Sequence, residues 1–302
     1  MEHPRVAVIV LNWNGRSDTI ECLHSVMDLR YLNYKTIVVD NGSTDGSVEA
    51  VQKEFPSVDL LVNLRNLGFA EGNNVGIRHA LSDEVDYVLL LNNDTVVDPW
   101  LLDTLIATAE TDEEIGIVGP KIYYYDQPDT LWYAGAKEQW LRRMPATIGL
   151  DEIDRGQYDQ ARETAFIYGT AMLIRRQLLE EIGELDRRFF AYHEDADLCM
   201  RARRIGYQCF YDPRGLVWHK VSAATRTRPQ IQDYLRARGR ILFFLKHLEG
   251  LRLVVVLFYE LYRLLKVWIQ RLWQGKIAEA RSYSRGLWDG LSEFLLKGRS
   301  RT

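Results

Sequence analysis

The sequence predicts an α/β fold, an open, mostly parallel, doubly wound sheet followed by an amphipathic helical tail. Three observations carry that expectation. Over the first 125 of 302 residues, short apolar runs alternate with stretches of helical period; the runs lack strict polar alternation; and each ends on a polar residue. Strands buried on both faces read as near-continuous Val, Ile and Leu. A βαβα order implies right-handed crossovers and an open sheet, whose ligands bind beyond the carboxyl ends of the strands.

The runs are VAVIVLN (6–12), KTIVVD (35–40), DLLVN (59–63) and DYVLLLN (86–92), closing on Asn12, Asp40, Asn63 and Asn92. Helical stretches lie between them at about 17–29, 46–55 and 70–82. From 126 to 165 the pattern gives way to loops with short strands. AFIYGTAMLIRR (165–176) reads as a further buried strand, a helix follows at about 195–205 and stops at Gly206, and GYQCFYDPRGLVWHK holds one or two short strands. No internal repeat or low-complexity segment is present.

A hydrophobic content of 47% with 26% charged residues predicts a packed core and excludes global disorder. Cys22, Cys199 and Cys209 are an odd number without C-x-x-C spacing, which argues against a disulfide framework or a zinc site and suits a reducing compartment. The N-terminus has no basic stretch before its apolar run and reads as a first strand, not as a signal peptide. The net charge of −4 is unevenly spread: residues 226–302 hold 16 Lys+Arg against 6 Asp+Glu, leaving 22 against 36 for the rest. A basic tail on an acidic body points to an anionic partner.

Four segments carry candidate chemistry. VVDNGSTDGS (38–47) sets Asp40 at a strand end, where its carboxylate can accept the imide N–H of a uracil or thymine ring; the bland alternative is turn capping by Asp40 and Asp45. No G-x-G-x-x-G follows the first strand, which weighs against a dinucleotide site. LLLNNDTVVDP (89–99) puts Asn92, Asn93 and Asp94 after a very hydrophobic strand. One carboxylate beside a diphosphate suits Mg²⁺ or Mn²⁺, and an Asx turn is the alternative. FFAYHEDADLCMRARRIGY (189–207) opens a helix on Glu194, Asp195 and Asp197 and carries Arg201, Arg203 and Arg204 in its later turns, as the helix dipole favours. The preceding Phe189, Phe190 and Tyr192 offer sugar-stacking surfaces, and a carboxylate at the helix start can take a proton from a sugar hydroxyl. VWHKVSAAT (217–225) sets His219 after a short strand; it gains interest only if the fold brings it near Asp94.

Together these segments resemble the family 2 glycosyltransferases with a GT-A fold, over about residues 5–225. The markers, in order, are V-x-I-V-x-N-W-N-G, V-V-D-N-G-S-T-D-G-S, N-L-G-F-A-E-G-N-N-V-G-I (66–77), L-N-N-D, G-x-A-M-L-I-R-R (169–176), H-E-D-A-D-L-C-M-R-A-R-R-I-G-Y and V-W-H. The wording is closest to the rhamnosyltransferase-like branch, which builds bacterial surface polysaccharides from TDP-rhamnose. The resemblance implies an inverting transferase acting on a saccharide acceptor, with residues 1–125 as the nucleotide half and 126–230 as the acceptor half. It implies a nucleotide site at Asn12, Asp40, Arg65, Asn66, Gly68, Asn73, Asn92 and Asn93, a metal site at Asp94 and His219, and Asp195 as catalytic base. Glu194, paired with Asp195 in the catalytic motif, helps to hold the acceptor, as do His193, Tyr192 and Gly169. Asn92 stands where many relatives have a first aspartate, so the metal would have one carboxylate fewer. A UDP-sugar donor is the nearest alternative, because Asp40 pairs with uracil and thymine alike. A catalytically silent scaffold is disfavoured by the intact Glu194–Asp195 pair and Asp94.

The tail from 231 has helical period. On a 100° wheel Leu251, Val254, Val255, Phe258, Leu261, Tyr262, Leu265, Trp268, Ile269 and Leu272 share a face, and Arg252, Arg263, Lys266, Gln270 and Gln274 cluster opposite. No apolar stretch is long enough to span a bilayer. A basic amphipathic helix with Trp and Phe predicts peripheral association with the inner face of a membrane, a dimer contact being the alternative. Nucleic acid is not expected as a partner, since the aromatics do not interleave with the cations.

Overall fold

The computed structural model describes residues 3–142, 144–221 and 229–297. The expected first half forms as read. Strands β1 (Val6–Asn12), β2 (Tyr34–Asp40), β3 (Asp59–Val62) and β4 (Tyr87–Asn92) pair in parallel in the order β3-β2-β1-β4. Helices α1 (Arg16–Met27), α2 (Ser47–Glu54) and α3 (Gly68–Ser82) make the crossovers. The register sets Asn12 beside Asp40 and Leu11 beside Asn92, so the polar strand ends share one edge of the sheet.

The second half continues the sheet. After β5 (Thr95–Val97) and helix α4 (Leu101–Ala109) comes β6 (Ile115–Tyr124), then β7 (Gln127–Tyr133), the hairpin β8 (Ala136–Glu138) and β9 (Pro145–Thr147), and β10 (Arg162–Thr164). Strand β11 (Ala171–Arg175) inserts antiparallel between β4 and β6, and β12 (Gln208–His219) runs parallel to β6. Neither α4 nor β6 stands out in the sequence. The helix is apolar nearly all round, and β6 contains Pro120, which has no N–H for a ladder. It is tolerated because the β6–β12 register shifts between Asp212 and Leu216, opposite Pro120 and Lys121.

Two boundaries differ from expectation. The strand read at 165–176 shrinks to β11, because the chain at 165–170 turns its backbone toward the site and Arg176 opens helix α5 (Arg176–Ile182). The segment at 207–220 is one bent strand. A single 3-10 turn at Arg187–Phe189 then leads to helix α6 (Glu194–Arg204).

The tail comprises α7 (Pro229–His247), α8 (Gly250–Trp273) and α9 (Ile277–Lys297). The division expected at 230/231 is not a break in packing. Leu242, Phe243 and Phe244 of α7 lie in the same core cluster as β1 and β4. His247 and Lys246 both meet Asp197 of α6, at 2.7 and 2.8 Å. Residues 222–228, which include the end of the VWHKVSAAT segment, lie outside the described residues.

Candidate functional site

The strand ends are tied by amides. Asn12 Oδ1 accepts from the Gly15 peptide N–H (3.1 Å), the Thr19 hydroxyl (2.9 Å) and the Asn93 amide (3.1 Å). The Asn12 amide donates to Asp40 Oδ2 (2.7 Å) and Ser43 Oγ (3.2 Å). Asn93 also donates to Thr19 Oγ1 at 2.9 Å. The sequence placed Asn12 and Asn93 against the nucleotide; in the fold their amides engage each other and the turn, and Asn12 and Asp40 are each 1% exposed. Gly15 makes this possible, since a Cβ there would sit 2.5 Å from Asn93 Nδ2. Asp40 accepts from the Ser43 N–H at 2.8 Å as well as from Asn12. Capping and ligand binding are therefore not exclusive, because a carboxylate has about four lone-pair sites.

Asn41 is a site residue the sequence reading passed over. Its Oδ1 accepts from Asn63 Nδ2 (3.0 Å) and the Leu67 N–H (3.2 Å), and its amide donates to Gly68 O (2.9 Å) and Asn66 Oδ1 (3.2 Å). It thereby joins the loop after β2 to the loop carrying exposed Arg65. Its position immediately after Asp40 was the available signal. Asn66 in turn accepts from the Gly68 N–H at 2.8 Å and shapes the start of α3. Gly68 has φ +86°, and a Cβ on it would lie 2.6 Å from the Phe190 carbonyl oxygen. Asn73, expected beside the nucleotide, is 1% exposed and donates to Phe69 O within its own helix. It belongs to the helix interior because α3 presents that face to the sheet.

The turn after β4 is closed by the Thr95 hydroxyl, which donates to the Asn92 carbonyl oxygen at 2.7 Å. That turn also delivers Asp94. Strand β5 pairs antiparallel with the end of β12, matching His219 with Thr95, and the Lys220 N–H donates to Asp94 O at 2.9 Å. His219 Nε2 consequently lies 3.2 Å from Asp94 Oδ1. The condition set on His219 by the sequence is met.

These two side chains fit a divalent cation in part. They offer one carboxylate and one imidazole, a set acceptable to Mg²⁺ or Mn²⁺ only with further oxygen ligands. Among the described residues no cluster of three or more His, Cys, Asp or Glu could hold an ion. His219 Nδ1 is buried without a partner there, so the outer hydrogen bond usual for a metal-bound histidine is missing. An ion would need the donor's phosphates to complete its shell.

Asp195 sits in the first turn of α6. Its Oδ2 accepts from the Gly169 N–H at 3.2 Å and its Oδ1 from the Ala196 N–H at 2.8 Å. Burial raises its pKa above the ordinary carboxylate range, with the two N–H bonds opposing. Gly169, expected to hold acceptor, thus holds Asp195. Glu194 is 4% exposed, and its Oε2 has no partner among the described residues. Burial and the adjacent Asp195 push its pKa well up, favouring the neutral acid.

The loop leading into α6 is strained: Phe190, Tyr192 and His193 have φ of 64°, 71° and 76°. The Phe190 carbonyl accepts from the Phe69 and Ala70 N–H groups at the start of α3, and Gly239 of α7 packs against Tyr192 and His193. The Arg236 guanidinium lies 5.0 Å from the centre of the Tyr192 ring. His193, expected to touch acceptor, packs toward Phe243, and burial and Arg240 push its pKa down to about 3.

An aromatic wall, also unread in the sequence, joins the two centres. Trp132 packs edge-on to His219 and tilted on Tyr168, both at 4.7 Å, and Tyr168 adjoins Gly169. Both rings are partly exposed. They come from a region of loops and short strands whose pairing no local pattern shows.

A family model described as "Glycosyltransferase like family 2" matches residues 3–241. An N-acetylglucosaminyl-diphospho-decaprenol L-rhamnosyltransferase of Mycobacterium tuberculosis is 28% identical over 218 residues, 64% of this chain and 68% of that protein. Among solved structures, GalNAc-T7 with UDP, GalNAc and Mn2+ aligns with a TM-score of 0.64 at 15% identity. That alignment covers 81% of this chain and 48% of the other, so the chain spans about half of it. A mannosyltransferase from Pyrobaculum calidifontis in complex with GDP-Man and Mn2+ aligns at 0.58 and 18% identity, covering 99% and 77%. At these identities the structural likeness establishes the GT-A fold.

Proposed function

The chain belongs to glycosyltransferase family 2, and from that premise we propose that it moves rhamnose, with inversion, from TDP-rhamnose to a hydroxyl of a lipid-linked saccharide in surface polysaccharide synthesis. The observation that carries this reading is the wall of Trp132 and Tyr168, which runs from the Asp94–His219 pair to the segment that orients Asp195. The donor and the lipid-linked acceptor follow the rhamnosyltransferase relative.

In this reading the nucleotide lies over the edge formed by Asp40, Asn66 and Arg65, with Asn12, Asn93 and Asn41 holding that edge in shape. The acceptor sugar rests on Trp132 and Tyr168. Asp195 takes the proton of the acceptor hydroxyl as that oxygen bonds to the anomeric carbon from the face opposite the nucleotide. The bond from that carbon to the diphosphate breaks, and the electron pair leaves with the diphosphate. One displacement inverts the configuration. Its raised pKa suits Asp195 to this work, because a base near the working pH both exists as the anion and holds the proton. A divalent cation held by Asp94, His219 and the two phosphates would offset charge on the leaving group. The enzyme would work peripherally at the inner face of a membrane.

The test supplies TDP-rhamnose or UDP-linked N-acetylglucosamine, galactose or glucose with a polyprenyl-diphosphate saccharide, and reads the product's anomeric configuration by NMR. Transfer from TDP-rhamnose with inversion is expected. Transfer from a UDP-sugar alone would overturn the donor assignment, and retained configuration would overturn the role of Asp195.

A further inference from the structure

Helix α8 is turned inside out. Two of its charged side chains face the protein: Glu260 is 3% exposed and lies 2.9 Å from Arg240, and Arg271 pairs with Asp233 at 3.0 Å and Glu279 at 2.6 Å. The Trp268 indole N–H donates to Ser284 Oγ at 2.8 Å, which draws that ring off the outer face. The apolar stripe faces away, with Leu251, Val255, Phe258, Leu261, Leu265 and Ile269 between 41% and 78% exposed. A helix that only covered a core would do the reverse. A continuous exposed stripe of this kind, about 27 Å long at 1.5 Å per residue, marks an interaction surface.

We propose that the outward face of α8, together with Trp140, docks on an anionic lipid surface with the helix lying in the headgroup–acyl boundary. Three observations select lipid over a second copy of the chain. Residues 226–302 carry 16 Lys+Arg against 6 Asp+Glu, and Lys266, Lys276, Arg281 and Arg285 are exposed, so two such tails would repel while an anionic bilayer attracts them. Trp140, from the acceptor half of the chain, is 78% exposed and held beside α8 by Arg252, whose guanidinium lies 5.6 Å from its ring. Arg142 sits likewise 5.3 Å from the Tyr259 ring. Aromatic rings beside cations suit the headgroup level. No described helix is long and apolar enough to cross a membrane, so α8 lies along the surface.

The docking helix is firmly joined to the site. Arg240 of α7 bonds Glu260 of α8, and the neighbouring Gly239 packs on Tyr192 and His193, next to Asp195. Lipid contact would therefore fix the height of Asp195 above the bilayer. The inference deepens the membrane reading above and rests on it only for the lipid-linked acceptor.

The test is co-sedimentation of the full chain with phosphatidylglycerol–phosphatidylcholine vesicles, comparing wild type with Phe258→Asp/Leu265→Asp and with Leu251→Asp/Leu272→Asp. Each double variant is expected to lose about tenfold or more of its vesicle affinity, with an unchanged melting temperature and unchanged turnover of a water-soluble acceptor analogue. Trp140→Ala should lose less. Equal vesicle binding by wild type and both variants would overturn the proposal. So would a wild-type dimer, seen by light scattering, that the variants split without changing vesicle binding. Loss of all transfer with vesicle binding intact would instead count against the catalytic reading.

Discussion

Asp94 Oδ1 and His219 Nε2 lie 3.2 Å apart although one follows β4 and the other ends β12. The pairing of β5 with the last residues of β12 puts them there. Because no third acidic, histidine or cysteine ligand forms a cluster with them among the described residues, cation binding should depend on the donor. Calorimetry of Mn²⁺ is expected to show weak binding alone and clear binding with TDP present. Asp94→Ala and His219→Ala should each weaken the second by roughly tenfold or more, the scale of ligand-shell changes. Equal Mn²⁺ affinity with and without nucleotide would refute this.

Asp195→Asn should lower kcat at least about a hundredfold while leaving TDP binding intact, since general-base help is worth about 10²- to 10⁴-fold. The asparagine keeps one oxygen for either the Gly169 or the Ala196 N–H, and a thermal melt checks that the variant is folded. Near-normal turnover of this variant would remove Asp195 from the mechanism.

The adjacent carboxyls of Glu194 and Asp195 make pH predictions of defined sign. Asp195 must be ionised to act and burial raises its pKa, so the acid limb of kcat/KM should lie above the ordinary carboxylate range. Glu194 also has a raised folded pKa, so the folded state holds more protons than the unfolded one above the ordinary value. Its contribution to stability is present at low pH and is lost as pH rises through the raised pKa. Glu194→Gln should thus gain melting temperature relative to wild type as pH rises. A gap between the two that is flat from pH 4 to 8 would contradict the assignment.

Gly239 lets α7 approach the strained loop. A Cβ there would lie 2.7 Å from Tyr192 O and 2.9 Å from His193 Cδ2. Gly239→Ala is expected to cost about 1–3 kcal/mol, as overpacking does, and to lower kcat by shifting the start of α6. Thermal melts and single-turnover rates measure the two effects; an unchanged rate in a destabilised variant would show that α7 supports the fold without positioning Asp195.

Trp132→Ala should raise the acceptor KM about tenfold, in line with about 0.5–1.5 kcal/mol for an aromatic contact beyond its burial, while Trp132→Phe recovers most of it. Titration with TDP should be little changed in both. Weakened donor binding with normal acceptor KM would place the sugar elsewhere.

Much of this architecture was legible locally. The four parallel strands follow from uninterrupted apolar runs, and Asp40, Asp94 and Asp195 follow from polar residues at strand and helix ends, where backbone geometry alone puts side chains at the sheet's edge. Strand β6 was hidden because Pro120 reads as a breaker until a register shift in its partner removes the need for its N–H. For Asn12, Asn73 and Asn93 the amide's type does not say which way it points, and in the fold neighbouring donors and acceptors engage all three.

By itself the sequence determined the order of elements, the polar edge and the two-faced character of the tail, since these depend on period and residue type within one segment. Only the tertiary structure decided that His219 reaches Asp94, that Trp132 and Tyr168 form a wall, and that α8 turns its apolar side outward. Those outcomes depend on what the facing elements supply. Asp233, Arg240, Glu279 and Ser284 offered partners for Glu260, Trp268 and Arg271 of α8, and pairing those groups inward left the apolar stripe to face out.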